Sequence, residues 1–400
     1  MHNIKNYKAT RHLVWPVIVL FFYLTVTLII YFISIKTGRE GASIATFGNG
    51  DDGLMYWGQI KQLYSNPKMF IDGMTDTIYV PLMTFILTLV HVNDPIIIRF
   101  MNWIILGMLL LGCYKIMNEI LFVGTSTSRL DKSIMTDLSY EYISLFFCLY
   151  ISLINNVTFS LYRDVWIYTG FIWCVYAGLK LINEFNIKYL FMYIFFIIWE
   201  YEFRKYAAFS LIFAGGIYYI YTKINKRTRK LLIVVFVLLF VLLYSFFRDL
   251  KFPIVNMSLA DALNYREGMN ALLYNSGGSD VNVKLDQSNV VLFLFAYLYS
   301  ILFNIFGPLL WQAHSVQLMI ITVGEGIPII VMTIYIWKNR VMMKNRLLFI
   351  IINIYVWVLL ISVTNKNLGT GTRLRVPAVI LITLIYIYIK IKKKSVESNR

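Results

Sequence analysis

The sequence predicts an all-α, polytopic transmembrane helical bundle. Of its 400 residues, 59% are hydrophobic and only 14% charged. Its apolar runs repeatedly approach the length of about 20 residues that crosses a hydrocarbon core of roughly 30 Å. A backbone inside lipid must satisfy its own hydrogen bonds, which leaves helices or a closed barrel. The runs are continuously apolar rather than alternating, which excludes an outer-membrane barrel.

The third observation is where the charge lies. The net charge of +16 gathers in short loops and tails: Lys5, Lys8 and Arg11, then 223–230, 338–346 and 390–394. Such a distribution marks cytoplasmic segments, both termini included, and makes an anionic lipid surface, not nucleic acid, the expected partner. Usage of Ile, Lys, Asn and Tyr suits an AT-rich bacterial genome, so a bacterial plasma membrane is expected. Cys113, Cys148 and Cys174 give neither a disulfide framework nor a metal-ligand spacing. The run from Leu13 to Ile35 is longer than a signal-peptide core and reads as a retained anchor.

Apolar segments then follow in order at 77–92, 96–121, 141–159, 164–182, 189–201, 205–222, 231–247, 289–307, 317–337, 346–364 and 376–392. Residues 1–400 form one integral membrane domain on this reading. Three polar stretches, 36–76, 248–288 and 365–375, are the expected extracytoplasmic loops. Six segments separate 36–76 from the basic 223–230 loop, where opposite sides demand an odd number of crossings. Segments 289–307 and 317–337 are likewise two where one is required. About ten full crossings and two partial or re-entrant segments reconcile the count. Glu200, Glu202, Arg204 and Lys205 make 189–222 the candidate for one partial segment.

Ionisable groups at membrane depth face a bundle interior or a cavity, so they mark candidate sites. Asn49-Gly50-Asp51-Asp52-Gly53 directly follows the first segment, with Tyr56 beyond it. Trp57, Ile60, Leu63 and Tyr64 then give Tyr56–Met69 the spacing of an amphipathic interfacial helix. An Asn-Gly-Asp stretch is also an ordinary hydrated turn. Arg163-Asp164 opens a segment, as a site or a helix-end ion pair, and Glu200–Lys205 breaks another. Glu325 lies within an apolar run. The loop Asn365–Arg375 carries Arg373 and Arg375 on the side where cations are disfavoured. Guanidinium forks suit phosphate oxygens, so anion binding is the expectation there.

Taken in order, these motifs resemble membrane glycosyltransferases of the GT-C superfamily, such as protein O-mannosyltransferases and aminoarabinose transferases. The resemblance runs over about residues 10–215. It rests on the acidic pair Asp51-Asp52 with Tyr56, on Tyr79-Val80-Pro81-Leu82, on Arg99 and on Arg163-Asp164. Gly-Thr-x-x-Arg-x-Arg-x-Pro at 369–377 also resembles bacterial surface-polysaccharide membrane proteins, although Asp52 stands where the family often has Glu.

The resemblance implies a GT-C-like bundle that takes a sugar from a polyprenyl-phosphate-linked donor. The acceptor would be a cell-surface glycan or a lipid-linked acceptor outside the membrane. A phosphate leaves without strong protonation, so one carboxylate base suffices, and direct displacement inverts the anomeric centre. Asp51 is the expected base, with Asp52 orienting it or binding acceptor. Tyr56, Arg163, Asp164, Arg266, Arg373 and Arg375 are the expected substrate-binding residues, Arg373 and Arg375 first for phosphate. No cofactor is expected. A divalent cation at the Asp pair is the alternative, poorly supported by two adjacent carboxylates alone. The rival functions are a polysaccharide-repeat polymerase using polyprenyl-pyrophosphate oligosaccharides and a lipid-linked sugar flippase or transporter.

Overall fold

The computed structural model describes residues 11–44, 51–67, 77–122, 129–251, 258–271, 281, 283–285, 289–343 and 345–398. Asn49-Gly50 and much of the 248–288 loop lie outside the described residues. The described residues are helical apart from connections and one isolated antiparallel bridge, Ser43 to Ser160. In chain order the helices are α1 (Arg11–Lys36), α2 (Asp52–Ser65), α3 (Tyr79–Val90), α4 (Pro95–Phe122), α5 (Arg129–Leu149) and α6 (Ile151–Thr158). They continue as α7 (Asp164–Asn183), α8 (Ile187–Phe203), α9 (Lys205–Lys223), α10 (Lys226–Leu242), α11 (Tyr244–Asp249) and α12 (Leu259–Ala271). The remainder are α13 (Val290–Phe306), α14 (Val316–Lys338), α15 (Asn345–Thr364), α16 (Leu368–Leu374) and α17 (Val376–Ser398).

Five of these, α1, α4, α7, α14 and α15, are long and apolar enough to cross a membrane. The number rises to seven if the bent pairs α5 with α6 (66°) and α16 with α17 (52°) each form one span. The chain is therefore an all-helical membrane protein. This number falls short of the expected ten because α8 and α10 have 17 residues each, and α9 dilutes its apolar content with tyrosines and glycines.

The stretch that is the candidate for a partial segment, 189–222, forms two helices of 17 and 19 residues that break at Arg204, and neither is among the helices long and apolar enough to cross. The short apolar helices are α3 and α13. With 12 residues, α3 spans about 18 Å and falls well short of a hydrocarbon core. It stops at His91, which takes the left-handed conformation (φ 53°) and returns its N–H to Leu87 and Thr88 carbonyls. Asp94 then caps α4 through Ile96 N–H (2.8 Å) and accepts from Tyr31 Oη (3.0 Å), tying this corner to α1.

The helices form two compact units. The first comprises residues up to 204 together with 332–343 and 382–400, and the second comprises 205–331 and 344–381. In the first, α7 is the central helix. Its Thr169 donates to Ile105 O (3.2 Å), its Trp173 to Met108 O (2.9 Å), and Trp199 of α8 donates to Trp166 O (3.1 Å). Lipid provides no hydrophobic drive between helices, so bonds of this kind fix their relative depth. Trp166 stacks on Trp199 and Phe203 and completes the α7–α8 seam.

The second unit is organised around α15, which packs on α9 through Ala214, Ile352 and Val356. Along α13, Tyr297 Oη donates to Leu359 O (2.7 Å) and Ser300 Oγ to Ser362 O (2.7 Å), while Asn304 accepts from Asn365 (2.7 Å). Pairing of ascending residues with ascending residues makes α13 and α15 parallel.

Candidate functional site

The loop after α1 is locked at Asp51, the N-cap of α2. An N-cap carboxylate accepts from the orphan N–H groups of the first turn, and Asp51 Oδ1 accepts from Gly53 N at 3.0 Å. Two serines complete the cradle. Ser160 Oγ donates to Oδ1 (2.9 Å) and Oδ2 (3.2 Å), and Ser43 Oγ donates to Oδ2. These serines face each other in the antiparallel bridge, so residues over 100 apart converge on one carboxylate that is 7% exposed.

Arg99, fully buried, fixes the platform. Its guanidinium donates to Gly41 O (2.8 Å), Ala42 O (3.2 Å) and Thr158 O (2.5 Å), which clamps the loop after α1 to the end of α6. Gly53 permits the close approach of α2, since a Cβ there would collide with Ser160 Oγ and stand 2.7 Å from Leu161 N. Gly53→Ala should therefore cost about 1–3 kcal/mol, read as a lower melting temperature of the purified protein. An unchanged melting temperature would show that the 160–161 backbone yields freely.

Asp52 is the first residue of α2 and half-buried. Tyr56 follows one turn later on the same face. The apolar stripe of α2 begins earlier than the sequence spacing places it and turns inward, with Tyr56, Trp57, Ile60 and Leu63 all buried. Tyr56 meets Tyr79 edge-on at 5.4 Å, and Tyr79 meets Trp166 at 6.3 Å. The Arg163 guanidinium lies 5.8 Å from the Tyr56 ring. Burial pushes the Tyr56 hydroxyl above its usual pKa; Arg163 and Arg204 oppose this, while Asp52 and Asp164 add to it. Those influences locate all four charges around one phenol.

Asp164, fully buried, lies 3.7 Å from Arg204 at the α8–α9 junction. Glu200, one turn before Arg204, is fully buried against Gly170, where a Cβ would collide with its carboxylate. The result is a buried ionic cluster along the α7–α8 seam. Arg163 Nε and Nη1 are both buried and have no hydrogen-bond partner among the described residues.

Three of the expected substrate-binding residues belong to the second unit. Arg266 is fully buried and donates through Nη1 to Ser362 O (3.0 Å), Asn365 O (2.5 Å) and Ser300 Oγ (3.2 Å). Arg375, also fully buried, is ion-paired with Glu325 and donates to Gly307 O. Glu325 sits in the one π-helical turn of α14, Thr322–Gly326. Arg373, in α16, is half-buried. Asp51, Asp52, Tyr56, Arg163 and Asp164 thus share the first unit, and Arg266, Arg373 and Arg375 the second.

Sequence reasoning missed Ser43 and Ser160, because a lone serine carries no signal until a distant partner is known. Arg204 stood inside a flagged cluster, without its link to Asp164. Among the described residues, no three His, Cys, Asp or Glu side chains group to hold a metal ion. No protein-family model matches the chain, and neither curated proteins nor solved structures provide a match.

Proposed function

We propose that this membrane protein is a glycosyltransferase that moves a sugar from a polyprenyl-phosphate donor to a glycan or lipid-linked acceptor hydroxyl on the extracytoplasmic side. The observation that carries the reading is Arg163: two buried guanidinium N–H groups with no hydrogen-bond partner among the described residues, beside Tyr56 and, with Asp52, acting on its phenol. A buried unpaired donor costs free energy, more when charged. An anion that accepts from both nitrogens removes that cost, and a leaving phosphate is such an anion.

In this reading the base is Asp52, not Asp51. Both Asp51 oxygens are occupied by Ser43, Ser160 and Gly53. Asp52 takes the proton of the acceptor hydroxyl as its oxygen bonds to the anomeric carbon. The bond from that carbon to the phosphate oxygen breaks with inversion, and Arg163 holds the charge that develops on the phosphate. Asp164 and Arg204 fix the segment that carries Arg163. Arg266 and Arg375 hold the second unit together, and Arg373, half-buried in α16, is its proposed anion ligand.

The topology that fits has ten crossings: α1, α4, α5 with α6, α7, α8, α9, α10, α14, α15 and α17. α3 and α13 are then the two partial segments. Five crossings separate 36–76 from 223–230, which removes the parity conflict. α15 runs from the basic 338–346 loop outward, so α13, parallel to it, runs outward too and crosses nothing. Both termini fall on the basic, cytoplasmic side, as expected of a bacterial plasma-membrane protein.

Full-length protein in liposomes, offered a sugar linked to polyprenyl monophosphate, should release polyprenyl monophosphate. Arg163→Ala should lower that release by about 10²–10³-fold, and Arg163→Lys should retain an intermediate rate. Undiminished release in Arg163→Ala would remove the arginine from the site. Release only from a polyprenyl-pyrophosphate oligosaccharide would make the protein a repeat polymerase. Donor movement across the bilayer without release would make it a flippase.

A further inference from the structure

The first unit carries another polar site at its opposite end. α4 begins beside the Asp51 platform, where Arg99 holds Gly41, and Lys115 stands 16 residues further on. At the helical rise this is about 24 Å away along the axis. There α4, α5 and α7 line an open cleft of about 460 Å³, with Lys115, Lys132, Lys180, Glu119, Phe122 and Tyr176 among its lining residues.

The charges in the cleft do not balance. Glu119 is buried and neutralised by Lys180 Nζ (2.6 Å), and it also accepts from Asn183 Nδ2 (2.5 Å). Lys115 and Lys132 are exposed at the rim, leaving two positive charges in excess. Lys115 also ends a stripe on α4 formed by Ile104, Met108 and Leu111, which are 47%, 40% and 45% exposed. Spacings of four, three and four residues put this stripe and Lys115 on one helix face. A cationic, aromatic-floored cleft thus continues into an apolar track that leads back along the helix.

We propose that this cleft binds the headgroup phosphate of an anionic phospholipid, with Lys115 and Lys132 on the phosphate and an acyl chain along Ile104, Met108 and Leu111. The apolar track decides between the two sources of phosphate, since a soluble phosphate ester has no use for it. The site is separate from the proposed transfer chemistry and does not depend on it. Its position also agrees with the basic, cytoplasmic side, where anionic lipids attract lysines.

The test is thermal unfolding of the full-length protein in neutral detergent, titrated with dihexanoyl-phosphatidylglycerol, dihexanoyl-phosphatidylcholine or glycerol 3-phosphate. Phosphatidylglycerol should raise the melting temperature and phosphatidylcholine should not. Lys115→Gln/Lys132→Gln should melt like the parent without lipid, since both side chains are exposed, and bind phosphatidylglycerol roughly 30-fold more weakly. An unchanged phosphatidylglycerol response in the double variant, or none in the parent, overturns the site. An equal response to glycerol 3-phosphate at the same concentrations overturns the lipid assignment in favour of a soluble phosphate. If the double variant melts lower, Leu111→Ser decides, because weakened phosphatidylglycerol binding with both lysines present is expected only of a lipid.

Discussion

Asp52→Asn should lower turnover by about 10²–10⁴-fold, the usual contribution of a positioned general base, with the variant still reaching the membrane at parental abundance. The amide keeps the shape of the side chain and cannot take the acceptor proton. Asp51→Asn should behave differently. Its carboxylate accepts from Ser43, Ser160 and Gly53 at the N-terminus of α2, where negative charge also favours the helix dipole. Losing that charge should cost about 1–2 kcal/mol of stability, with activity falling only as folded protein is lost. The deciding measurement is turnover per folded molecule for both variants side by side. Normal turnover in Asp52→Asn with loss in fully folded Asp51→Asn would return the base to Asp51.

The sequence made the helices legible because lipid enforces them: a long apolar run has almost no other backbone solution. It also brought Asp51, Asp52, Tyr56, Arg163 and Asp164 into view, since ionisable residues stand out in a chain that is 14% charged. What it could not show was how each charge is used. Asp51 and Asp52 are neighbours in one motif, yet one is an N-cap held by serines from two distant segments and the other acts, like Arg163, on the Tyr56 phenol. Arg163 and Arg375 look alike in sequence, each at the start of an apolar helix. Arg375 meets a carboxylate 50 residues away, whereas Arg163 keeps two buried nitrogens with no partner among the described residues. The shortness of α3 was hidden for a related reason. Charge at 200–205 marks a real break, at Arg204 between α8 and α9, whereas the residues that end α3 at His91 look unremarkable until the left-handed turn is seen.

Arg375→Met should destabilise the protein by about 3–5 kcal/mol, because removing one partner leaves Glu325 as a buried, uncompensated charge. Glu325→Met should cost a similar amount. Arg375→Met/Glu325→Met should recover most of the loss, since two apolar side chains of similar volume replace a pair whose attraction only offsets its desolvation. Denaturant unfolding of the four proteins in detergent gives the coupling energy directly. This cycle also separates two roles for the arginine. An anion ligand would lose activity in Arg375→Met at nearly unchanged stability, and restoring charge balance at Glu325 would not bring the activity back. A structural pair loses and regains both together. The geometry favours the second outcome: the guanidinium is fully buried, bonded to Glu325 and to Gly307 O, and the π-helical turn of α14 presents the carboxylate to it. Arg373, two residues earlier and half-buried, is the anion ligand we propose for that segment. Arg373→Ala is accordingly expected to weaken donor binding.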